Sequence, residues 1–208
     1  ITSEDTAAYF HTGGTTGTPK LVPHTHGNQV YQAWAMSLTT PSQPGDKLLF
    51  GLPLFHVGGA LTQGLAALAN GGSLVVLSAV GWRHPSAIRN IWRLVERFKA
   101  RTLGGVPTVL GAAMGVPIGD ADVSSLVCSS GGGSAIPVAV CETLEARLGR
   151  PVLEVYGMTE TSSVHTLSYV SRPIRLGSVG HPVPYSGVRV VKLDADGNFS
   201  GESATNEI

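Results

Sequence analysis

Eight consecutive residues, Gly13–Lys20 (GGTTGTPK), hold three glycines, three threonines, a proline and one lysine. Small residues let backbone N–H groups approach a ligand closely, threonine hydroxyls add donors, and Lys20 adds a positive point charge. The combination suits a loop wrapped around an anion. It suits a helix or strand interior poorly, because Gly and Pro weaken both. The competing reading of this stretch alone is a flexible surface turn. It is not the P-loop of the common NTPases, which needs Gly-Lys-Ser/Thr in succession; here Pro19 precedes Lys20 and Leu21 follows. Three further segments carry related chemistry: Phe55–Gly59 (FHVGG), Ser130–Ser134 (SGGGS) and Tyr156–Glu160 (YGMTE). His24 and His26 have the look of a metal pair, but no third ligand follows at metal spacing, so they read as an exit turn and a helix start. Cys128 and Cys141 have neither metal nor redox spacing and read as core residues of a protein in a reducing compartment, the cytoplasm.

Alternating strands and helices must position these segments. Lys47–Leu54 reads as a buried strand, and Gly59–Asn70 as a helix ended by Gly71 and Gly72. Ser73–Ser78 is a second strand. His84–Ala100 places Ile88, Ile91, Trp92, Val95 and Phe98 on one face of an amphipathic helix. Thr102–Pro107, Ser125–Ser130 and Pro151–Gly157 are three more strands. Pro137–Leu148 is a helix, with Pro137 in its first turn and Gly149 at its end. The order predicts an α/β fold, mainly a parallel sheet with flanking helices and right-handed crossovers. FHVGG, GVPT, SGGGS and YGMTE each follow a strand, and GGTTGTPK follows the strand-like Ala7–His11. In a parallel sheet such loops share the carboxyl edge, where ligands bind. On that ground the anion-binding reading of the first loop prevails over the turn. From Gly177 the pattern changes: the alternating Val188–Leu193 and the turn DADGN start a small antiparallel β subdomain.

The ordered set TGGTTGTPK, PLFHVGG, GGGSAIP, YGMTE and GSVGHPVP resembles the adenylate-forming superfamily of acyl-CoA synthetases, peptide adenylation domains and luciferases, over nearly all of the chain. The resemblance implies ATP-dependent activation of a carboxylic acid to an acyl-adenylate, with ATP and Mg²⁺ required. A thiol, most simply that of coenzyme A, then takes the acyl group. It implies that Thr15, Thr16, Gly17 and Lys20 hold the β- and γ-phosphates, with Thr12 beside them. Glu160 matches the Mg²⁺ ligand, and Thr159 a hydroxyl donor to the α-phosphate. Gly131, Gly132 and Gly133 match the adenine platform, with Tyr156 stacking on the base and Gly157 next to it. His56 borders the acid near its reacting carboxylate, and Gly58, Ser163 and His165 complete the acid pocket. Local readings stand beside these: a solvated surface glutamate for Glu160, a turn or helix cap for Thr159, a strand-end aromatic for Tyr156. A non-catalytic nucleotide- or acyl-binding module with the same fold is the alternative function.

Two positions depart from the family pattern: Gly13 replaces a usual serine, and Tyr185 a common glycine after PVP. Phe55 is followed by His56, not by the aspartate with which amino-acid-activating relatives pair an ammonium group, so the expected acid lacks an α-amino group and is fatty or aromatic. At 208 residues and 42% hydrophobic the chain can bury a core. The expected division is an α/β nucleotide- and acid-binding region over 1–176 and an incomplete β subdomain over 177–208. The ribose-binding aspartate and the C-terminal lysine-bearing domain of the family are expected beyond Ile208. Charged residues are only 13%, with 14 Lys plus Arg against 14 Asp plus Glu, so nucleic acid is an unlikely partner. No apolar run spans a bilayer.

Overall fold

A computed structural model describes residues 1–12, 18–40 and 42–203. Strand β1 (Thr6–His11) pairs antiparallel with β2 (Leu21–Thr25). The expected strand Ala7–His11 is therefore half of a hairpin, not a member of a parallel sheet. Helix α1 (His26–Thr39) follows at once, started by a capping box in which the Thr25 hydroxyl accepts from the Asn28 N–H and the Asn28 side chain accepts from the Thr25 N–H.

The parallel strands form two sheets. β3 (Lys47–Phe50) and β4 (Ser73–Val76) make a two-stranded parallel pair. β5 (Thr102–Gly105), β6 (Cys128–Gly132) and β7 (Val152–Met158) run parallel in a second sheet, extended antiparallel by β8 (Ser163–Leu167) and β9 (His181–Pro182). Strand β8 went unrecognised in the sequence because Ser, His and Thr interrupt its apolar alternation. β10 (Val191–Leu193) and β11 (Phe199–Glu202) form a separate antiparallel hairpin. The fold is mixed α/β with flanking helices, as expected.

Two predicted helices differ in form. Gly58–Leu65 is a π-helical segment that passes into α2 (Ala66–Ala69). The single helix over His84–Ala100 is broken at Asn90 into α3 (Pro85–Arg89) and α4 (Ile91–Phe98). Asn90 caps both pieces with φ −105° and ψ 13°, outside the helical well. The buried stripe survives the break: Ile91, Trp92 and Val95 join Leu103, Leu110, Leu126, Leu144 and Val152 in the main core. α5 (Pro107–Met114) and α6 (Val138–Leu148) cover the same side. Pro137 is the N-cap of α6, and Gly149 closes it at φ 63°, a left-handed conformation that glycine adopts without strain. Among the described residues no helix is long and apolar enough to cross a membrane.

Candidate active site

Strand alternation aims one set of side chains at a common space. Thr102 and Gly104 of β5, Cys128, Ser130 and Gly132 of β6, and Leu153, Val155 and Gly157 of β7 line a cavity of about 620 Å³. Its other wall is helical: Met36 and Thr40 of α1, Thr62 and Gln63 of the π-helical segment, and Ala66, Ala67 and Asn70 beyond it. Loops close one end, bringing Thr12, His56, Gly58, Gly133, Ser134, Thr159, Glu160 and Ser163 together.

The β7–β8 turn has a distinctive build. Thr159–Thr161 makes one 3₁₀ turn, and Ser162 and Ser163 have φ values of 59° and 103°. Such values are uncommon for residues other than glycine, so this turn holds conformational strain. It is tied down on three sides. The Met158 N–H donates to the Thr161 hydroxyl at 3.1 Å, the Thr62 and Ser163 hydroxyls hydrogen-bond, and the His24 Nε2–H donates to the Thr159 carbonyl at 2.7 Å. His24 is 1% exposed and lies against Phe10 with ring centroids 4.9 Å apart. Nothing in the sequence linked His24 to a residue 135 positions away. His24 lies within strand β2 and not in the exit turn expected for it.

His56 sits at the cavity wall, where its Nδ1 accepts from the Gly58 N–H at 3.0 Å. Desolvation, and then the positive charge that His11 can carry, hold its pKa below the ordinary imidazole value. Cys128 also lines the cavity, and burial raises its thiol pKa; that of Cys141 is pushed up to about 11, mainly by burial. Both thiols are thus protonated and unreactive at neutral pH.

Several glycines serve packing. A Cβ on Gly157 would lie 1.6 Å from the Ser163 carbonyl oxygen, and one on Gly132 would lie 2.4 Å from Val155. Gly131 faces Ile136 and Leu110 in the same way. Gly133 instead takes φ +85°, and a Cβ there would make only an ordinary contact with Val106 at 3.8 Å.

Other sequence-selected residues stand apart from the cavity wall. Tyr156 is 45% exposed and alternates to the other face of β7 from Val155. His165 turns toward the 183–187 segment, its Nε2 3.1 Å from the Gly187 carbonyl and its Nδ1 3.2 Å from the Ser186 hydroxyl. Lys20 is exposed, and its carbonyl accepts from the Thr12 N–H at 2.8 Å. Thr15, Thr16 and Gly17 lie outside the described residues, as does Gly13.

Among the described residues no three His, Cys, Asp or Glu side chains stand together as a metal cluster. Glu160 is exposed at the loop-closed end and makes no ion pair among the described residues. That suits a magnesium ion held by one carboxylate plus phosphate oxygens and water, and it does not suit an all-protein cage.

Comparison with known proteins decides the family. The family of AMP-binding enzymes matches residues 1–207. The chain belongs to the AMP-binding enzyme family. Relatives of this family member include a marinolic acid–CoA ligase of Pseudoalteromonas sp. (strain SANK 73390), 37% identical over 213 residues that take in 100% of this chain and 33% of the relative. A sulfoacetate–CoA ligase of Cupriavidus necator is 32% identical over 97% of this chain and 38% of its own length. Among solved structures, ATP-bound MatB from Rhodopseudomonas palustris superposes with a TM-score of 0.84 at 25% identity, over 96% of this chain and 38% of that one. This AMP-binding chain thus spans 33–38% of the length of these ligases.

Proposed function

We propose that this chain carries much of the ATP- and acid-binding machinery of an ATP-dependent acid–CoA ligase. In the whole protein the substrate carboxylate attacks the α-phosphorus of ATP, the bond to the pyrophosphate oxygen breaks, and pyrophosphate leaves. The thiol of coenzyme A then attacks the acyl carbon, AMP departs, and the thiol proton passes to solvent. The observation that carries this reading is the convergence of His56, Gly58, Gly131–Gly133, Thr159, Glu160 and Ser163, from three separate segments, at one end of one cavity.

Each residue has a role that its place supports. The Thr159 hydroxyl donates to the α-phosphate oxygen on which negative charge grows, and the His24 bond to the Thr159 backbone fixes that donor in advance. Glu160 would hold a magnesium ion, which when bound supplies charge to neutralise the phosphate oxygens. Lys20 and the 12–17 loop hold the departing pyrophosphate. The backbone at Gly131–Gly133 receives the adenine, while Tyr156, on the other face of β7 from the cavity, stands outside this part of the site. His56, neutral at pH 7, borders the carboxylate without placing a competing positive charge there. Gly58 and Ser163 shape the wall around it, and His165 braces the neighbouring segment.

The acid lacks an α-amino group. The carboxylates lining the cavity among the described residues are Glu160 and Asp46, and Asp46 is engaged with Arg101 at 3.2 Å. Glu160 is the carboxylate at the His56 end, and with magnesium on it an ammonium group beside His56 would be left unpaired, which is costly when buried.

The test is acid-dependent ATP–pyrophosphate exchange by the full-length protein over fatty, aryl and α-amino acids. Exchange with fatty or aryl acids is expected. Thr159→Ala should lower the rate by about 10²–10³-fold, as loss of one preorganised donor does. Glu160→Gln should raise the magnesium concentration needed. Preference for an α-amino acid, or both variants within a few-fold of the parent, would overturn the reading.

A further inference from the structure

The apolar middle of the cavity holds a polar side chain that the fold does not satisfy. Gln63 lines the cavity from the π-helical segment, a geometry that is uncommon and often found at functional sites. The wall around it is Met36, Ala66, Leu153 and Val155. The Gln63 Oε1 is buried without a hydrogen-bond partner. Neither the Gln63 amide nitrogen nor the Ser130 hydroxyl is hydrogen-bonded among the described residues.

Gly104 accommodates this amide. It faces the cavity as Thr102 does, and a Cβ there would lie 2.7 Å from Gln63 Nε2 and 3.5 Å from the Ser130 hydroxyl oxygen. The missing side chain leaves room for the amide against β5, with the Ser130 hydroxyl beside it. With Oε1 buried, the nitrogen is the polar atom that the amide offers to a ligand. Strand register sets the depth of these donors. Gly104 pairs with Ser130, and Ser130 with Leu153. This row carries no charged residue, and it lies two residues, ~6.6 Å, from Gly132 in one direction and from Cys128 in the other.

We propose that Gln63 determines specificity: its amide donates to a neutral oxygen, keto or hydroxyl, carried midway along the apolar chain of the substrate acid. This deepens the ligase reading and rests on it for the placement of the carboxyl head at the Thr159–Glu160 end. A methylene at this depth would strip water from the amide nitrogen and the Ser130 hydroxyl and return nothing. A keto oxygen has two lone pairs and accepts from both donors. A carboxylate would lose its water with no cation in the row, since Arg101 is three residues from Gly104 and is held by Asp46 at 3.2 Å. With the carboxyl level with Gly132, an extended chain advancing ~1.2 Å per bond reaches the row after roughly five or six bonds, near carbon 6 or 7.

The experiment compares, with the full-length protein, saturated acids of one length that carry no substituent, or one keto or hydroxyl group at each interior carbon in turn. Exchange kinetics give kcat/KM, and calorimetric titration of each acid gives affinity independently of turnover. Keto and hydroxy acids substituted at the matching interior carbon should exceed the plain acid by about tenfold in both, as one satisfied hydrogen bond predicts. Gln63→Leu should bring that ratio to within about twofold; Gln63→Met, unbranched and of similar length, tests the same point should leucine fail to fold. No interior position exceeding the plain acid, with exchange intact, would overturn the oxygen site while the ligase reading stands. So would a preference for hydroxy acids alone, because a ketone accepts from an N–H equally well, or a preference unchanged in the Gln63 variants. Tighter binding of the keto acid, lost in a Gln63 variant, without exchange by any acid would uphold the oxygen site and overturn the ligase reading. Binding by no acid would overturn both.

Discussion

Replacing His24 by leucine would isolate what one buried hydrogen bond does for the Thr159–Glu160 turn. The ring is 1% exposed, and its Nε2 lies 2.7 Å from the Thr159 carbonyl, which also accepts from the Ser162 N–H at 3.1 Å. Leucine fills much the same volume, so no large cavity opens beside Phe10. The carbonyl keeps one partner, and the unpartnered His24 Nδ1 disappears with the ring. These two terms oppose each other, and the net change in unfolding free energy should be about 1 kcal/mol or less. Catalysis should suffer more. The turn already holds Ser162 and Ser163 at φ 59° and 103°, and without His24 it relaxes and carries the Thr159 hydroxyl with it. A displacement of about 1 Å at a reacting group can cost on the order of 10²-fold, so adenylation should fall by about ten- to a hundredfold. Single-turnover formation of acyl-adenylate by the full-length protein, beside a urea titration, measures both quantities. His24→Gln retains an N–H within reach and should restore most of the rate. Leucine within twofold of the parent, or glutamine no better than leucine, would refute the positioning argument.

Gly157→Ala should destabilise by about 3 kcal/mol, because its methyl group would lie 1.6 Å from the Ser163 carbonyl oxygen, whereas Gly111→Ala in α5 meets nothing within 4 Å and should stabilise by about 0.5–1 kcal/mol. Chemical denaturation of both variants checks the contrast. The lowered pKa of His56 means that the unfolded chain binds more protons than the folded one between that value and 6.5. Its contribution to stability should therefore fall as pH drops through this window and be constant above it. Urea midpoints taken from pH 5 to 8 should show a shallower acid limb in His56→Gln, and the His56 ring should titrate below 6.5 by NMR.

Much was legible in the chain because it is local. Gly149 after a helical stripe marks a helix end, and φ 63° there is the physical reason. Apolar strands ending in FHVGG, GVPT, SGGGS and YGMTE require loops on one edge, and the structure brings residues of all four to one cavity. Strand β8 was illegible because its partner, β7, and not its own alternation, holds it in the sheet. The break at Asn90 escaped notice for a related reason: the buried face continues through it, and hydrophobic periodicity is blind to a change in backbone angle that leaves the stripe intact.

By itself, then, the sequence determined the α/β class, the family and the residue types in the loops at one end of the cavity, since these depend on short motifs and their order. Tertiary structure alone decided that His24 supports Thr159, and that His165 and Tyr156 turn away from the cavity. It also decided that Ser42, Asn70 and Arg101 line one cavity. Those relations join residues from tens to more than a hundred positions apart, or depend on which face of a twisted strand a residue takes. Neither spacing nor composition encodes such a contact; it exists only once the strands and helices have packed.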